Sequence, residues 1–324
     1  MKKSARRMLI GSGLAAAGVG LVGTMHLAVT KYMVNVALDR QIPKHTGSAE
    51  RKIAGSELDQ RFLDALRTAG EALHSRGGEM VRITSRDGTN LVGHWFEQEK
   101  PSRTIIAMHG WRSSWYNDFG MIADFWFQNG CNVLFAEQRG QGQSGGEYMG
   151  FGLLERHDCA DWAKWAGERD NALPVYLCGV SMGASTVLMA AGLELSKNVR
   201  GIMADCGYSS PEAIWKHVAK DNLGLSYGTR CMAARDLCRK KIQVGIDDYS
   251  CVDAMQECEV PVLFIHGTDD RFVPIEMTYE NYKACAAPKR LLVVPGAGHG
   301  MSYFLDKEGY EAAMLQFWRE FDKK

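Results

Sequence analysis

The chain has 324 residues, 46% of them apolar, and its 38 basic side chains balance 38 acidic ones. That balance removes any global pull toward nucleic acid, and the lack of repeats and low-complexity tracts excludes a solenoid or a disordered chain. The apolar content suffices for one large core or two modest ones.

The first predicted element stands apart. Lys2, Lys3, Arg6 and Arg7 precede an uncharged run from Met8 to Val29. A helix over that run is about 33 Å long, close to the roughly 30 Å hydrocarbon core of a bilayer. Residues 1–31 therefore read as an N-terminal transmembrane anchor, with the basic flank in the cytoplasm and the rest of the chain outside. The alternatives are a signal peptide removed on secretion and a twin-arginine signal at Arg6-Arg7. Against cleavage, the run is long for a secretory segment and lacks a small-x-small site at its end. Residues 32–55 read as a linker. Leu58, Phe62, Leu63, Leu66 and Leu73 recur at helical spacing and predict an amphipathic helix over about 56–75.

Strands and helices then alternate from residue 76 to 324. "MVRITS" and "LVGHWFE" flank Asp87-Gly88 and read as a hairpin. Buried-strand runs follow: "TIIAMHG", "CNVLFAEQ", "PVYLCGVS", "RGIMADCG", "PVLFIHG" and "KRLLVVPG". Helical stretches lie near 117–128, 153–168, 182–196, 275–286 and 306–322. Continuous apolar strands separated by helices predict an α/β fold, a mostly parallel sheet covered on both faces, with ligands at the carboxyl ends of the strands. The interval of about 209–258 is too long for one crossover and reads as a small helical cap.

Of the nine cysteines, Cys131, Cys178 and Cys206 fall in or beside buried strands and read as inert core thiols. Cys231/Cys238 and Cys251/Cys258 are each seven apart, about 10 Å along a helix and too far for a disulfide within either pair. A bridge between the two segments stays open. No Cys/His cluster has metal-ligand spacing, and the serine chemistry that the motifs below point to requires no metal or other cofactor.

The chemistry concentrates at "YLCGVSMGAST", where Gly179-Val180-Ser181-Met182-Gly183 is G-x-S-x-G between a strand and a helix. That context puts a serine on a strained corner, its hydroxyl clear of the sheet and facing a helix N-terminus. A serine nucleophile needs a base, and the base an orienting acid. "FIHGTDDRFVP" puts Asp270 just past a strand, and "LLVVPGAGHG" puts His299 in a glycine-rich loop after the next one. Gly140-Gln-Gly-Gln-Ser-Gly145 is a literal G-x-G-x-x-G, but "GEYMGFG" opens no helix after it, so it does not read as a dinucleotide site.

On these residues the chain resembles the α/β-hydrolase superfamily from about Met80 onward, and within it the serine aminopeptidase-like and monoacylglycerol-lipase-like hydrolases. The resemblance implies an α/β-hydrolase fold and a Ser181–His299–Asp270 triad, with Asp270 chosen over Asp269 and with Asp205 as the runner-up acid. It implies an oxyanion hole from the backbone N–H groups of Met182 and of Trp111, which follows His109-Gly110. "EQRGQGQSGG" resembles the superfamily's D-x-R-G-x-G-x-S loop with Glu137 where aspartate is usual. The Trp111 indole, Trp115 and Tyr116 are expected either to line an acyl pocket or to pack against the cap. The implied substrate is a small-molecule ester or other acyl compound; peptide cleavage, acyl transfer or a non-catalytic binding role on the same fold are the alternatives. Bases exceed acids between Lys216 and Lys241, which suits anionic groups or a solvated helix face, not a grip on a free amino terminus.

Overall fold

The computed structural model describes residues 24–41, 57–169, 173–228 and 230–322. In chain order the elements are α1 (residues 24–38), α2 (Glu57–Ser75), β1 (Glu79–Thr84), β2 (Asn90–Phe96), β3 (Arg103–Met108), α3 (Trp115–Gln128), β4 (Cys131–Glu137), α4 (Glu155–Arg169) and β5 (Val175–Val180). There follow α5 (Met182–Ala190), β6 (Val199–Asp205), α6 (Pro211–His217), α7 (Cys231–Ile242), α8 (Cys251–Gln256), β7 (Val262–Gly267), α9 (Ile275–Ala284), β8 (Lys289–Val294), α10 (Ser302–Leu305) and α11 (Lys307–Phe321).

The eight strands form one sheet in the order β1-β2-β4-β3-β5-β6-β7-β8. β2 runs antiparallel to both neighbours, and every other pairing is parallel. Because successive residues of a strand face opposite sides, a strand covered on both faces is apolar throughout. In β4 and β7 every residue is buried, whereas the edge strands β1 and β8 are half exposed. Ile105 and Ala107 of β3 pack with α3 and α11 in one core cluster, while Ile106 and Met108 pack with α4, α5 and α9 in the other. Ser181, Asp205, Asp270 and His299 follow or end β5, β6, β7 and β8, so the parallel sheet brings them to one edge.

Three expectations differ from the structure, and a fourth, the anchor, falls mostly outside the described residues: only its end, from residue 24, lies in α1. Among the described residues no helix is long and apolar enough to cross a membrane. Residues 32–38, expected as linker, continue α1, and Val34 and Leu38 are buried in the main core. The helix expected to run to about 196 stops at Ala190. In the interval expected as cap, α8 is instead part of the core layer: Cys251, Ala254 and Met255 are buried, and Ser209 O accepts from the N–H groups of Cys251 and Val252.

Candidate active site

The serine corner is built by steric exclusion. Ser181 has φ 56° and ψ −118°, a left-handed conformation that a side chain adopts only under constraint. The constraint comes from both sides. Ser181 N–H donates to Asp205 O at 2.9 Å, and Ser185 N–H donates to Ser181 O at 3.1 Å. The crossing of strand and helix is so close that a Cβ on Gly183 would stand 1.8 Å from Met108 O, and one on Gly179 2.2 Å from Gly183 O. Only glycine permits this approach.

Above that corner the side chains form one hydrogen-bonded chain. Ser181 Oγ lies 2.8 Å from His299 Nε2, and His299 Nδ1 lies 2.7 Å from Asp270 Oδ2. A carboxylate only accepts, so Nδ1 carries the proton and Nε2 is left to accept from the serine hydroxyl. Asp270 is itself held at four points. Its Oδ1 accepts from the N–H groups of Phe272 and Val273, both at 2.9 Å, and its Oδ2 also accepts from His266 Nε2 at 3.2 Å. His266 is fixed in turn by Val273 O at 2.8 Å and by the Thr278 hydroxyl at 2.7 Å.

The electrostatics follow from these partners. Burial opposes ionisation of Asp270, but the neighbouring charge of His299 and the hydrogen bonds from both histidines outweigh it and hold the carboxyl well below the usual range. Burial likewise opposes protonation of His299, yet Asp270 and the adjacent Cys206 raise its pKa well above that of an ordinary imidazole. Such a pair can take up a proton from the serine and return it. Cys206 is buried, as expected of a core thiol, but no spacing along the chain places it beside His299; burial pushes the thiol up to about 11. Cys206, Asp270 and His299 offer ligand atoms within 4.8 Å of one another. Asp270 Oδ2 and both ring nitrogens of His299 are, however, already engaged in the hydrogen-bonded chain.

Asp205 is not part of that chain. Its carboxylate accepts from Ser302 Oγ at 3.1 Å, while its backbone carbonyl supports Ser181. Burial pushes its pKa up to about 6.

On the other side of the serine lies the loop after β3. A Cβ on Gly110 would be 3.4 Å from Ser181 Cβ, so Gly110 lies against the serine side chain. Three groups shape this loop. His109 Nδ1–H donates to Gly110 O at 2.8 Å, and its Nε2 accepts from Gln138 N–H at 3.1 Å. Asp118, which no motif flags, accepts from Gly110 N–H at 2.6 Å and from Ser113 Oγ at 2.5 Å. The Trp111 indole donates to Ala37 O of α1 at 2.9 Å. Neither Trp111 N–H nor Met182 N–H has a partner among the described residues.

The two pocket candidates sit elsewhere. Trp115 is 3% exposed and stacks on His94 at 4.3 Å and against Phe135 at 5.3 Å, so it has no face left for a substrate. Tyr116 turns to His74 of α2, 4.7 Å away. Their place is the core between α2, α3 and the sheet. Glu137 belongs to the same cluster: it accepts from His94 at 2.8 Å and from Gln143 N–H. Between β6 and β7 several charges pair: Arg235 with Glu212 at 2.7 Å and with Asp247 at 3.3 Å, and Arg239 with Asp248, while His217 stands 3.0 Å from Asp221. The loop of Gly140 and Gly145 folds back through a Gly140 N–H to Gly145 O bond of 2.8 Å, and no helix opens at Gly145; α4 starts only at Glu155.

A mostly parallel sheet with one antiparallel insertion, helices on both faces and a serine corner at the strand ends is the architecture of an α/β hydrolase. The comparisons with known proteins agree. Residues 99–220 match the family described as serine aminopeptidase, S33. The uncharacterized protein YqkD of Bacillus subtilis (strain 168) is 26% identical over 236 residues, which cover 72% of this chain and 77% of the relative. A non-heme haloperoxidase of Rhodococcus erythropolis is 26% identical over 68% of this chain and 93% of its own. The solved structure of the Pyrococcus furiosus esterase Pf2001 superposes with a TM-score of 0.62 at 22% identity, covering 75% of this chain and 91% of that one. The chain has the α/β-hydrolase fold, and over residues 99–220 it is similar to the serine aminopeptidase S33 family.

Proposed function

We propose that this protein is a serine hydrolase that cleaves carboxylic esters through an acyl-enzyme. The observation that carries the reading is the strained Ser181 with its Oγ 2.8 Å from His299 Nε2. His299 Nε2 takes the Ser181 proton as Oγ attacks the carbonyl carbon, and the carbonyl oxygen gathers the charge. The N–H groups of Trp111 and Met182 receive that oxyanion. The intermediate collapses, the alcohol leaves with the proton from His299, and the acyl group stays on Oγ. Water then attacks the acyl carbon, giving its proton to His299, and the acid departs as Oγ recovers that proton. Asp270 keeps Nδ1 protonated throughout and stabilises the imidazolium.

Two facts support an ester over a peptide. The similar fold of Pf2001 belongs to an esterase. Glu212, Asp247 and Asp248, which could grip a free amino terminus, are matched by Arg235 and Arg239. The second reading, an aminopeptidase, draws on the family match over residues 99–220. The test is fluorophosphonate labelling followed by a panel of acyl esters of graded chain length beside aminoacyl amides. Labelling at Ser181 with faster turnover of esters is expected. An unlabelled Ser181 overturns the hydrolase, and faster turnover of amides overturns the esterase.

The basic flank and the uncharged run from Met8 to Val29 support an N-terminal anchor with the catalytic domain outside the cytoplasm. Alkaline phosphatase fused to the C-terminus is expected to be active in cells; an inactive fusion produced at full length rules that orientation out.

A further inference from the structure

A helix ends with four carbonyls that no later turn can reach. In α1 these belong to Asn35, Val36, Ala37 and Leu38. Asn35 O is met locally, by Asp39 N–H at 2.9 Å. The other three are met by the hydrolase domain. Val36 O accepts from Arg112 Nη2 at 2.7 Å and Ala37 O from the Trp111 indole at 2.9 Å. Leu38 O accepts from Met149 N–H at 2.7 Å. The Arg112 guanidinium also reaches Asp39 O at 2.6 Å, so a positive fork closes the negative end of the helix. The segment just after α1 is keyed in as well. Arg40 donates to Ser144 O and Gly142 O, each at 2.6 Å, and Asp39 pairs with Lys241 of α7 at 2.6 Å.

The two residues whose side chains grip α1 are therefore the two that follow Gly110 in the loop after β3. Arg112 holds a left-handed backbone, φ 52°, which an arginine adopts only when its surroundings compel it. Here the side chain is drawn out to the carbonyls of α1 while the backbone turns back toward Ser114, the N-cap of α3.

We propose that Arg112 is a positioning residue: by clamping the carboxyl end of α1 it sets the tilt of the Trp111 peptide, whose N–H receives the oxyanion, and so makes α1 a working part of the active site. This rests on the serine-hydrolase reading. The two are separable, because that reading stands or falls on Ser181 labelling and ester turnover by the unaltered chain.

The test uses the full chain with Arg112→Ala, Arg112→Lys and Trp111→Phe. Trp111→Phe keeps the backbone N–H and an aromatic ring but removes the donor to Ala37 O. Each is assayed for kcat and KM on an ester, for inhibition by a trifluoromethyl ketone that forms an oxyanion adduct with serine, and for thermal unfolding. Arg112→Ala is expected to lower kcat about 10- to 100-fold with KM little changed, and to weaken the ketone by a similar factor. Arg112→Lys supplies a point charge without the fork and is expected to recover part of the loss. Trp111→Phe is expected to lose several-fold in kcat. A kcat within twofold of the unaltered chain for Arg112→Ala overturns the proposal, as does a loss of kcat with no matching loss of ketone affinity. Should Arg112→Ala fail to fold, Trp111→Phe decides: full kcat refutes the coupling, and a parallel loss of kcat and ketone affinity sustains it.

Discussion

On the proposed serine-hydrolase reading, Ser181→Ala and His299→Ala are each expected to lower kcat on an ester by about 10⁶-fold, with no further fall in the double variant. The reason is the single hydrogen-bonded chain from Ser181 Oγ through His299 to Asp270. Without the base the hydroxyl keeps its proton, and without the hydroxyl the base has nothing to activate, so either loss removes the whole covalent route. What remains is the rate supported by binding and the oxyanion donors, about 10³- to 10⁴-fold above water. Single-turnover kinetics on purified variants measure this, and losses that multiply in the double variant would mean two independent contributions and no relay. Asp270→Asn retains both reacting groups and is expected to lose about 10⁴-fold, through the wrong tautomer of His299. The same chain sets the pH dependence. On that reading His299 is a base only when neutral, and its pKa is raised well above 6.5 by Asp270 and Cys206. The rate therefore falls as pH drops through that raised pKa, and the acid limb of kcat/KM lies on the alkaline side of 6.5. Removing the Asp270 charge moves the limb toward lower pH; a limb that stays put would mean that another group titrates.

What the sequence discloses follows from which interactions are local. The central strands are legible because burial on both faces demands an unbroken apolar run, as in β4 and β7. The serine corner is legible because Gly179 and Gly183 are required by contacts within a few residues and with β3. Asp270 and His299 are marked by their position just past strand ends in a parallel sheet. Trp115 illustrates the limit: its partner His94 lies on β2, and Glu137, which holds His94, lies on β4. No spacing along the chain reveals that an aromatic residue near Gly110 turns into the core. The docking of α1 is hidden for the same reason, since Arg112 and Trp111 meet carbonyls more than seventy positions earlier. Asp118 and His266 escape notice as supports because each acts on a backbone N–H or a carboxylate that only the folded chain brings near.

Arg139→Met is expected to destabilise the fold by about 3–5 kcal/mol, the usual cost of leaving one member of a buried ion pair without its partner. Arg139 lies in the glycine-rich loop after β4 and is 5% exposed. Its Nε and Nη2 donate to the two oxygens of Asp158 on α4, each at 2.6 Å, and its Nη1 donates to Asp87 in the β1–β2 turn at 2.7 Å. One guanidinium thus joins a helix, a hairpin and the loop. Asp87 can return to water, since its side chain is 47% exposed, but Asp158 is 1% exposed and cannot. Urea unfolding followed by far-ultraviolet dichroism measures the loss, and a change below about 1 kcal/mol would show that Asp158, whose pKa burial already pushes up to about 7, takes up a proton or water in place of the arginine. The double variant Arg139→Met/Asp158→Leu separates charge burial from packing. Replacing both members by apolar groups removes the desolvation cost together with the attraction, so much of the lost stability returns. A double variant as unstable as the single one would instead assign the effect to the loop geometry that Arg139 imposes. That loop also carries Gln138, which holds His109, and the carbonyls of Gly142 and Ser144, which hold Arg40. Partial recovery of stability without recovery of kcat would therefore locate the arginine's second role in shaping the site from behind.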